Sequence, residues 1–158
     1  MLNGTDTRQA AVSAARDYVT GGTFKAELAR RVAVPSESPR EDSGPDHRRY
    51  LEEQIAPDLQ AMGFSTRILE NPVAERLPVL FAERIEDEAL PTILTYGHGD
   101  VLWGMGGDWA EGRDPFGLDE ADGKLYGRGT VDNKGQHTIN IAALRCVLET
   151  RGKLGFNV

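Results

Sequence analysis

The sequence has little from which a disulfide framework or a membrane span could be built. Its 158 residues include one cysteine, Cys146, so no disulfide can form within the chain. Cys146 falls in an apolar helical pattern, which indicates a small buried hydrophobic side chain. No run approaches the ~18 apolar residues that a membrane-spanning helix needs, so we expect no membrane partner. The first residues carry charges such as Asp6 and Arg16 and have no apolar core of signal-peptide type, so we expect a cytoplasmic protein by default.

The sequence is also short of positive charge. Lysine and arginine total 18 against 25 acidic residues, and the formal net charge is −7. A nucleic-acid-binding domain needs a basic surface, so we expect no nucleic-acid partner. An acidic balance instead suits a protein that binds cations. Hydrophobic residues make up 39% of the sequence, which at this length is enough for the core of one domain.

Hydrophobic periodicity predicts helices in the first part of the chain and strands after them. Residues 1–34 have helical spacing that is interrupted at Gly21-Gly22, and residues 35–45 form a loop. Residues 46–62 again have helical spacing, and Pro57 should kink that helix. Three strands are predicted next, at residues 64–69, 78–84 and 92–96.

The segment from Thr92 to Tyr96 is apolar and β-branched at its start, so we predict an inner strand covered on both faces. A long loop follows at residues 103–123. The clearest helix runs from Asn133 to Thr150, with Ile139, Ala142, Ala143, Cys146 and Val147 on one apolar stripe. The order of helices and strands predicts an α/β sandwich.

The first motif with chemical potential is Gly97-His98-Gly99-Asp100, at the exit of the predicted inner strand. Open α/β sheets place their sites at such strand ends. Imidazole is a common zinc ligand, and its second nitrogen usually meets a carboxylate, a role that Asp100 could fill. Taken alone, such a pair is more often a surface contact or a capping arrangement than a metal site.

The second motif is the glycine-rich segment 123–135, in which Asp132 directly precedes the long helix. An aspartate at a helix start is a common N-cap, so capping and metal binding both explain Asp132. Capping does not explain the clustering of Gly127, Gly129 and Gly135, which would let the backbone approach a ligand or adopt a positive φ. The spacing fits neither a Walker A loop nor a dinucleotide fingerprint, so nucleotide binding has no motif support.

Together these motifs resemble a known family. The segments GHGDV, W…DPF and DGKLYGRGTVDNKGQ, with His98 and Asp132 separated by 34 positions, are similar to a family of zinc hydrolases. Its members include acetylornithine deacetylase, succinyl-diaminopimelate desuccinylase, aminoacylase, glutamate carboxypeptidase and the cytosolic dipeptidases. The resemblance covers roughly residues 24–158. It implies a three-layer α/β sandwich with a mostly parallel or mixed sheet and helices on both faces.

The resemblance implies a role for each residue of the two motifs. His98 would bind one zinc ion, and Asp132 would bridge two zinc ions through its two carboxylate oxygens. Asp100 would be the catalytic-site carboxylate that accepts a hydrogen bond from the far nitrogen of His98 and so fixes its tautomer. The Asp132–Asn133 peptide would be cis. A complete site would hold two Zn²⁺ ions, for which Co²⁺ or Mn²⁺ are possible substitutes.

The resemblance also implies that residues 1–158 are the N-terminal portion of a catalytic domain. The family mechanism uses a Glu-Glu pair, of which the first is the general base and the second a zinc ligand, and two further ligands. We expect these groups beyond Val158, together with the C-terminal half and a smaller lid or dimerisation domain. The full-length parent would be a homodimer that acts on a small peptide or an N-acyl amino acid.

Several other residues have less certain roles. Trp109, Pro115 and Phe116 match a segment that lines the approach to the metals in the family, although loop packing explains them equally. His47 and His137 match no ligand position. We expect His47 to be solvated and His137 to lie on the long helix.

The sequence therefore supports two hypotheses from different classes. The first is a metal-dependent hydrolase of amide bonds, peptide or N-acyl, with a dinuclear zinc site, of which this chain is a truncated and inactive piece. The alternative is a remnant of the fold, or a binding module, without catalytic activity. A longer reading frame that carries the Glu-Glu pair would favour the first.

Overall fold

The computed structural model describes residues 4–158. Residues 1–3 of the first predicted helical region lie outside the described residues. The helices are Gly4–Thr20 (α1), Thr23–Val32 (α2), Gly44–Arg49 (α3), Ala56–Ala61 (α4) and Lys134–Arg151 (α5), with a π-helical turn at Tyr50–Ile55 and a 3₁₀ turn at Gly106–Asp108. The strands are Ser65–Leu69 (β1), Val79–Glu83 (β2), Asp119–Ala121 (β3) and Lys124–Tyr126 (β4).

The strands form two small antiparallel sheets. β1 pairs with β2, with Ser65 opposite Glu83, and β3 pairs with β4, with Asp119 opposite Tyr126. Parallel pairing within residues 4–158 is limited to two isolated bridges, Glu37 with Val101 and Thr92 with Asn157. The predicted α/β class is confirmed, while little of the predicted parallel sheet is present in this part of the chain.

The predicted inner strand at residues 92–96 is wrong. Ile93 donates one backbone hydrogen bond to Asn157, but no ladder continues along the segment. The side chains are exposed instead of buried, with Leu94 at 93% and Tyr96 at 83%. An apolar, β-branched composition predicts a strand only when neighbouring strands supply hydrogen-bond partners, and within residues 4–158 the C-terminal residues alone pair with this segment.

Helix boundaries follow the local signals of the sequence. Gly63, with φ +80°, follows α4, and Gly152, with φ +72°, ends α5 by donating its backbone N–H to Leu148. Pro57 lies in the first turn of α4. The chain enters α4 through the π-helical turn, and the kink at Pro57 stays a prediction.

The hydrophobic core lies between the π-helical turn, α4 and α5. Its buried members are Val34, Tyr50, Ile55, Leu59, Met62, Phe64 and Ile141. The buried face of α5 includes Ile141, Ala142 and Cys146, so the prediction of a buried cysteine is confirmed. Ile139 is 56% exposed, which corrects the predicted stripe, because the buried face is centred one residue earlier, at Thr138. No helix described within residues 4–158 has the length and hydropathy needed to cross a bilayer.

His47 is buried in α3, not solvated as the sequence suggested. Its Nε2 lies 3.0 Å from the hydroxyl of Ser43. That hydroxyl donates to the carbonyl of Arg40, so Nε2 must be the donor to Ser43. Burial lowers the pKa of His47, and the charge of Asp100 opposes this effect. The sequence gives no sign of this because the burial depends on a turn that places Ser43 beside the ring.

We expect His47 to destabilise the chain as the pH falls below about 6.5, its ordinary pKa. The unfolded chain then takes up a proton that the folded chain does not, so the free energy of unfolding decreases, by at most about 1.4 kcal/mol per pH unit. Urea unfolding of wild type and His47→Gln from pH 7.5 to 5 measures this. The variant should have the shallower pH dependence, and equal slopes would contradict the assignment.

Candidate metal centre

The loop that carries His98 is fixed by its neighbour in space, the segment 36–38. The backbone N–H of Val101 donates to the carbonyl of Ser36 at 2.8 Å, and the carbonyl of Val101 accepts a hydrogen bond from the backbone N–H of Ser38 at 2.9 Å. The hydroxyl of Ser36 also donates to the carbonyl of Gly99, at 2.5 Å. These three bonds hold both sides of the turn in which His98 and Asp100 lie.

The same loop lies directly against the ring of Tyr50. A Cβ placed on Gly99 would be 2.2 Å from Cε1 of that ring. The alternation of glycine in Gly97-His98-Gly99 therefore has a packing reason, because a side chain at position 99 would displace either the loop or the buried tyrosine.

The loop before α5 carries Asp132 and contains the cis peptide Asp132–Asn133 that the resemblance implied. Asn133, not Asp132, is at the N-cap position, and its side chain caps no backbone N–H. The capping explanation for Asp132 is therefore wrong. Gly129 has a φ of +87°, and a Cβ on Gly135 would lie 2.0 Å from the carbonyl oxygen of Thr130. Gly135 thus brings backbone close to backbone, whereas a Cβ on Gly129 would meet the side chains of Val101 and Lys134, at 3.0 and 3.1 Å.

Lys134, the first residue of α5, is fully buried, which was not predicted from the sequence. Its ammonium group donates to the carbonyls of Arg31 and Val34, at 3.0 and 2.7 Å, at the end of α2. It also lies 4.8 Å from the centre of the Tyr50 ring. Burial lowers the pKa of Lys134 to about 7, although the nearby charges of Asp100 and Asp46 oppose the shift. The sequence shows only that Lys134 lies two residues after Asp132, at the start of the long helix, and this position does not indicate burial.

The structure brings the three predicted site residues together. Nε2 of His98 lies 2.9 Å from a carboxylate oxygen of Asp132. Nδ1 of His98 lies 3.1 Å from both the carboxylate and the backbone carbonyl of Asp100. The imidazole is thus placed between two acidic side chains from loops that are 34 residues apart in the sequence.

Each ring nitrogen of His98 faces oxygens that can only accept a hydrogen bond. A neutral imidazole carries one N–H, which the two acceptors of Asp100 can take. Nε2 and the carboxylate oxygen of Asp132 would then face each other as two acceptors, so either a second proton or a cation must lie between them. Imidazole nitrogen and carboxylate oxygen are ligand types that zinc accepts, so this pair fits such an ion. The fit is partial, because no three histidine, cysteine, aspartate or glutamate side chains within residues 4–158 are placed to hold one metal ion together.

The aromatic residues of the long loop pack within that loop. Trp109 donates its indole N–H to the carbonyl of Gly104, at 2.7 Å, and the guanidinium of Arg128 lies 5.7 Å from its ring centre. A Cβ on Gly104 would lie 2.8 Å from the ring of Phe116. These contacts support the loop-packing explanation. The open cavity of about 670 Å³ beside His98 is lined instead by residues of the π-helical turn, β2 and α5.

Comparison with known proteins agrees with the resemblance predicted from the motifs. Residues 94–158 match peptidase family M20/M25/M40, and both His98 and Asp132 lie within that range. A cysteinylglycine-S-conjugate dipeptidase of Corynebacterium striatum is 33% identical over 121 residues, which are 73% of this chain and 26% of the relative. A Beta-Ala-His dipeptidase of Homo sapiens is 36% identical over 113 residues, which are 71% of this chain and 20% of the relative.

The fold is similar to that of a solved dipeptidase. The structure of human carnosine dipeptidase 1 superimposes with a TM-score of 0.74 and 30% sequence identity, over 96% of this chain and 33% of the other. The chain therefore spans about a third of this solved chain and about a quarter or less of the curated relatives it matches.

We expect Gly99→Ala to lower the free energy of unfolding by about 1–3 kcal/mol, because its methyl group would overlap the ring of Tyr50. Gly107→Ala is the matched control, since a Cβ there meets no atom within 4 Å. Chemical denaturation of both variants provides the measurement. If Gly99→Ala is as stable as Gly107→Ala, Tyr50 does not lie against the His98 loop.

Proposed function

We propose that this chain, whose residues 94–158 belong to peptidase family M20/M25/M40, is part of a metal-dependent hydrolase that cleaves amide bonds. The contact between His98 and Asp132 is the observation that carries the proposal. It joins an imidazole and a carboxylate from the two motifs on which the family resemblance rests. Packing does not account for the position of Asp132, since its side chain is 81% exposed.

A small peptide is the substrate class that the relatives favour. The two relatives compared above are dipeptidases by name, and so is the solved neighbour. An N-acyl amino acid presents the same scissile amide and remains the second substrate class. The cavity beside His98 is open and has both apolar residues and Tyr96 in its lining, which suits a short, partly apolar ligand.

His98 and Asp132 would hold the cation, which we propose to be zinc, with two ions in a complete centre. A bound divalent cation polarises the scissile carbonyl and activates water for attack. Asp100 accepts a hydrogen bond from the Nδ1–H of His98, which leaves the lone pair of Nε2 directed toward Asp132. The exposure of Asp132 leaves its second oxygen accessible to a second ion.

We propose that the 158-residue stretch supplies only part of the centre. A catalytic zinc usually takes three protein ligands, whereas His98 and Asp132 provide two. The other carboxylate beside His98, that of Asp100, is hydrogen-bonded to the imidazole and is not free to act as a general base. A longer, homodimeric parent protein, cytoplasmic in location, would contribute the remaining ligands and the base.

We expect the chain to bind Zn²⁺ or Co²⁺ weakly and through His98 and Asp132. In isothermal titration calorimetry, His98→Ala and Asp132→Asn should each lower the affinity at least about tenfold, because each removes one of two protein ligands. Asp122→Asn is the matched control, since Asp122 is exposed in the β3–β4 turn and does not contact His98. Equal affinity in all four proteins would contradict the assignment.

We also expect residues 1–158 with added zinc to hydrolyse neither dipeptides nor N-acetyl amino acids. Loss of a general base alone typically slows a reaction by ~10²–10⁴. A panel assay against a longer chain that carries the Glu-Glu pair provides the comparison, and the longer chain should be active. Turnover by the short chain that disappears in His98→Ala would show that the stretch is sufficient. An inactive longer chain would favour the non-catalytic alternative.

A further inference from the structure

We propose that Asn133, His137 and Tyr50 form a hydrogen-bonded clamp that fixes the His98 loop relative to Asp132. The clamp makes these three residues positioning residues of the metal centre, and this role rests on the proposed function. None of the three was assigned a site role from the sequence. His137 was expected only to lie on the long helix, where the structure places it.

Asn133 links the two loops of the site directly. It follows Asp132 in the chain, and its side-chain oxygen accepts the backbone N–H of His98 at 3.2 Å. The same oxygen lies 3.2 Å from Nδ1 of His137, and its amide nitrogen donates to Gln136 at 2.6 Å. One carboxamide therefore joins the residue beside Asp132 to the backbone of His98.

His137 and Tyr50 anchor that carboxamide in the core. An amide oxygen can only accept a hydrogen bond, so Nδ1 of His137 carries the ring proton and donates to Asn133. Nε2 of His137 therefore accepts a hydrogen bond from the hydroxyl of Tyr50, at 2.6 Å. Burial and the charges of Arg31 and Lys134 lower the pKa of His137 to about 3, which keeps the ring neutral in this arrangement. Tyr50 is only 1% exposed, so the last member of the clamp cannot move without disturbing the core.

The clamp also explains why glycine occupies position 97, beside His137 and Asn133. A Cβ on Gly97 would lie 2.8 Å from Cβ of His137 and 3.3 Å from the side-chain oxygen of Asn133. The His98 loop can approach α5 closely enough for the bond to Asn133 only because position 97 has no side chain. Contacts at Gly97 and Gly99 thus hold the loop from two directions.

A first experiment needs no metal. Amide hydrogen exchange at His98, followed by NMR in wild type, Asn133→Leu and Gln136→Ala, tests whether Asn133 holds the loop. Asn133→Leu keeps the size of the side chain but removes the acceptor, so His98 exchange should accelerate at least about tenfold. Gln136→Ala removes only the acceptor of the Asn133 amide nitrogen and should leave the exchange rate at His98 unchanged. Unaltered exchange in Asn133→Leu would overturn the clamp, whether or not the chain binds metal.

A second experiment links the clamp to the metal centre, with Co²⁺ as the probe. Tyr50→Phe removes one hydroxyl from the clamp, and His137→Ala removes its middle member, so both should weaken Co²⁺ binding, by about tenfold for His137→Ala. His137→Asn keeps a donor at the Nδ1 position and should restore part of the affinity. A purely structural role predicts equal losses for alanine and asparagine, and that result would contradict positioning.

The two experiments separate the clamp from the proposed function. If wild type binds no Co²⁺ while His98 exchange still depends on Asn133, the metal proposal fails and the structural link remains, but its role as a positioning device is refuted. Thermal unfolding of each variant without metal shows whether folding is retained. A variant that unfolds is replaced by Tyr50→Phe, which keeps the ring that packs against Gly99.

Discussion

The burial of one cationic side chain, Lys134, is the constraint on which the position of the site depends. Its ammonium group needs acceptors in the core, and the carbonyls of Arg31 and Val34 at the end of α2 provide them. Carbonyls at the C-terminal end of a helix carry partial negative charge, so this arrangement is favourable. Because Lys134 is two residues after Asp132, fixing the start of α5 against α2 also fixes the loop that carries Asp132.

The proposed metal centre combines two loops with different supports. The loop of His98 is held by segment 36–38 and by the ring of Tyr50, whereas the loop of Asp132 is held by Lys134. Neither support uses Nε2 of His98 or the carboxylate of Asp132, which face each other at 2.9 Å. His98 and Asp100 lie in the lining of the cavity, which the helices and β2 also form. The same geometry would serve a binding module, so the contact between His98 and Asp132 does not by itself distinguish that alternative from a hydrolase.

Much of the fold could be predicted because the signals are local. The helix ends at Gly63 and Gly152 follow from backbone preferences of glycine, and the strands β1 and β2 follow from short apolar runs, although their antiparallel pairing was not predicted. The segment 92–96 could not be predicted in this way, because a strand depends on partners distant in the sequence. Lys134 was missed for a related reason, because its acceptors lie about 100 residues away in the sequence. His47 was missed because its burial depends on a turn that places Ser43, four residues earlier, beside the ring.

The candidate site could be predicted only from the two motifs taken together. His98 with Asp100, or Asp132 before a helix, each had an ordinary explanation, and it was the resemblance over both motifs that favoured a shared role. The structure adds what spacing alone does not contain, namely that Asn133 lies between the two loops and bonds to the backbone of His98. Hydrogen bonds of this kind depend on the three-dimensional path of the chain and leave no periodic signal in the sequence.

The central claim is that His98 and Asp132 share one cation. X-ray absorption at the zinc edge, on the chain at a limiting amount of Zn²⁺, tests it most directly. The account predicts one imidazole nitrogen among oxygen neighbours at about 2.0–2.1 Å, and loss of the imidazole scattering in His98→Ala. An all-oxygen shell in wild type, or a sulfur neighbour that would point to Cys146, would contradict it.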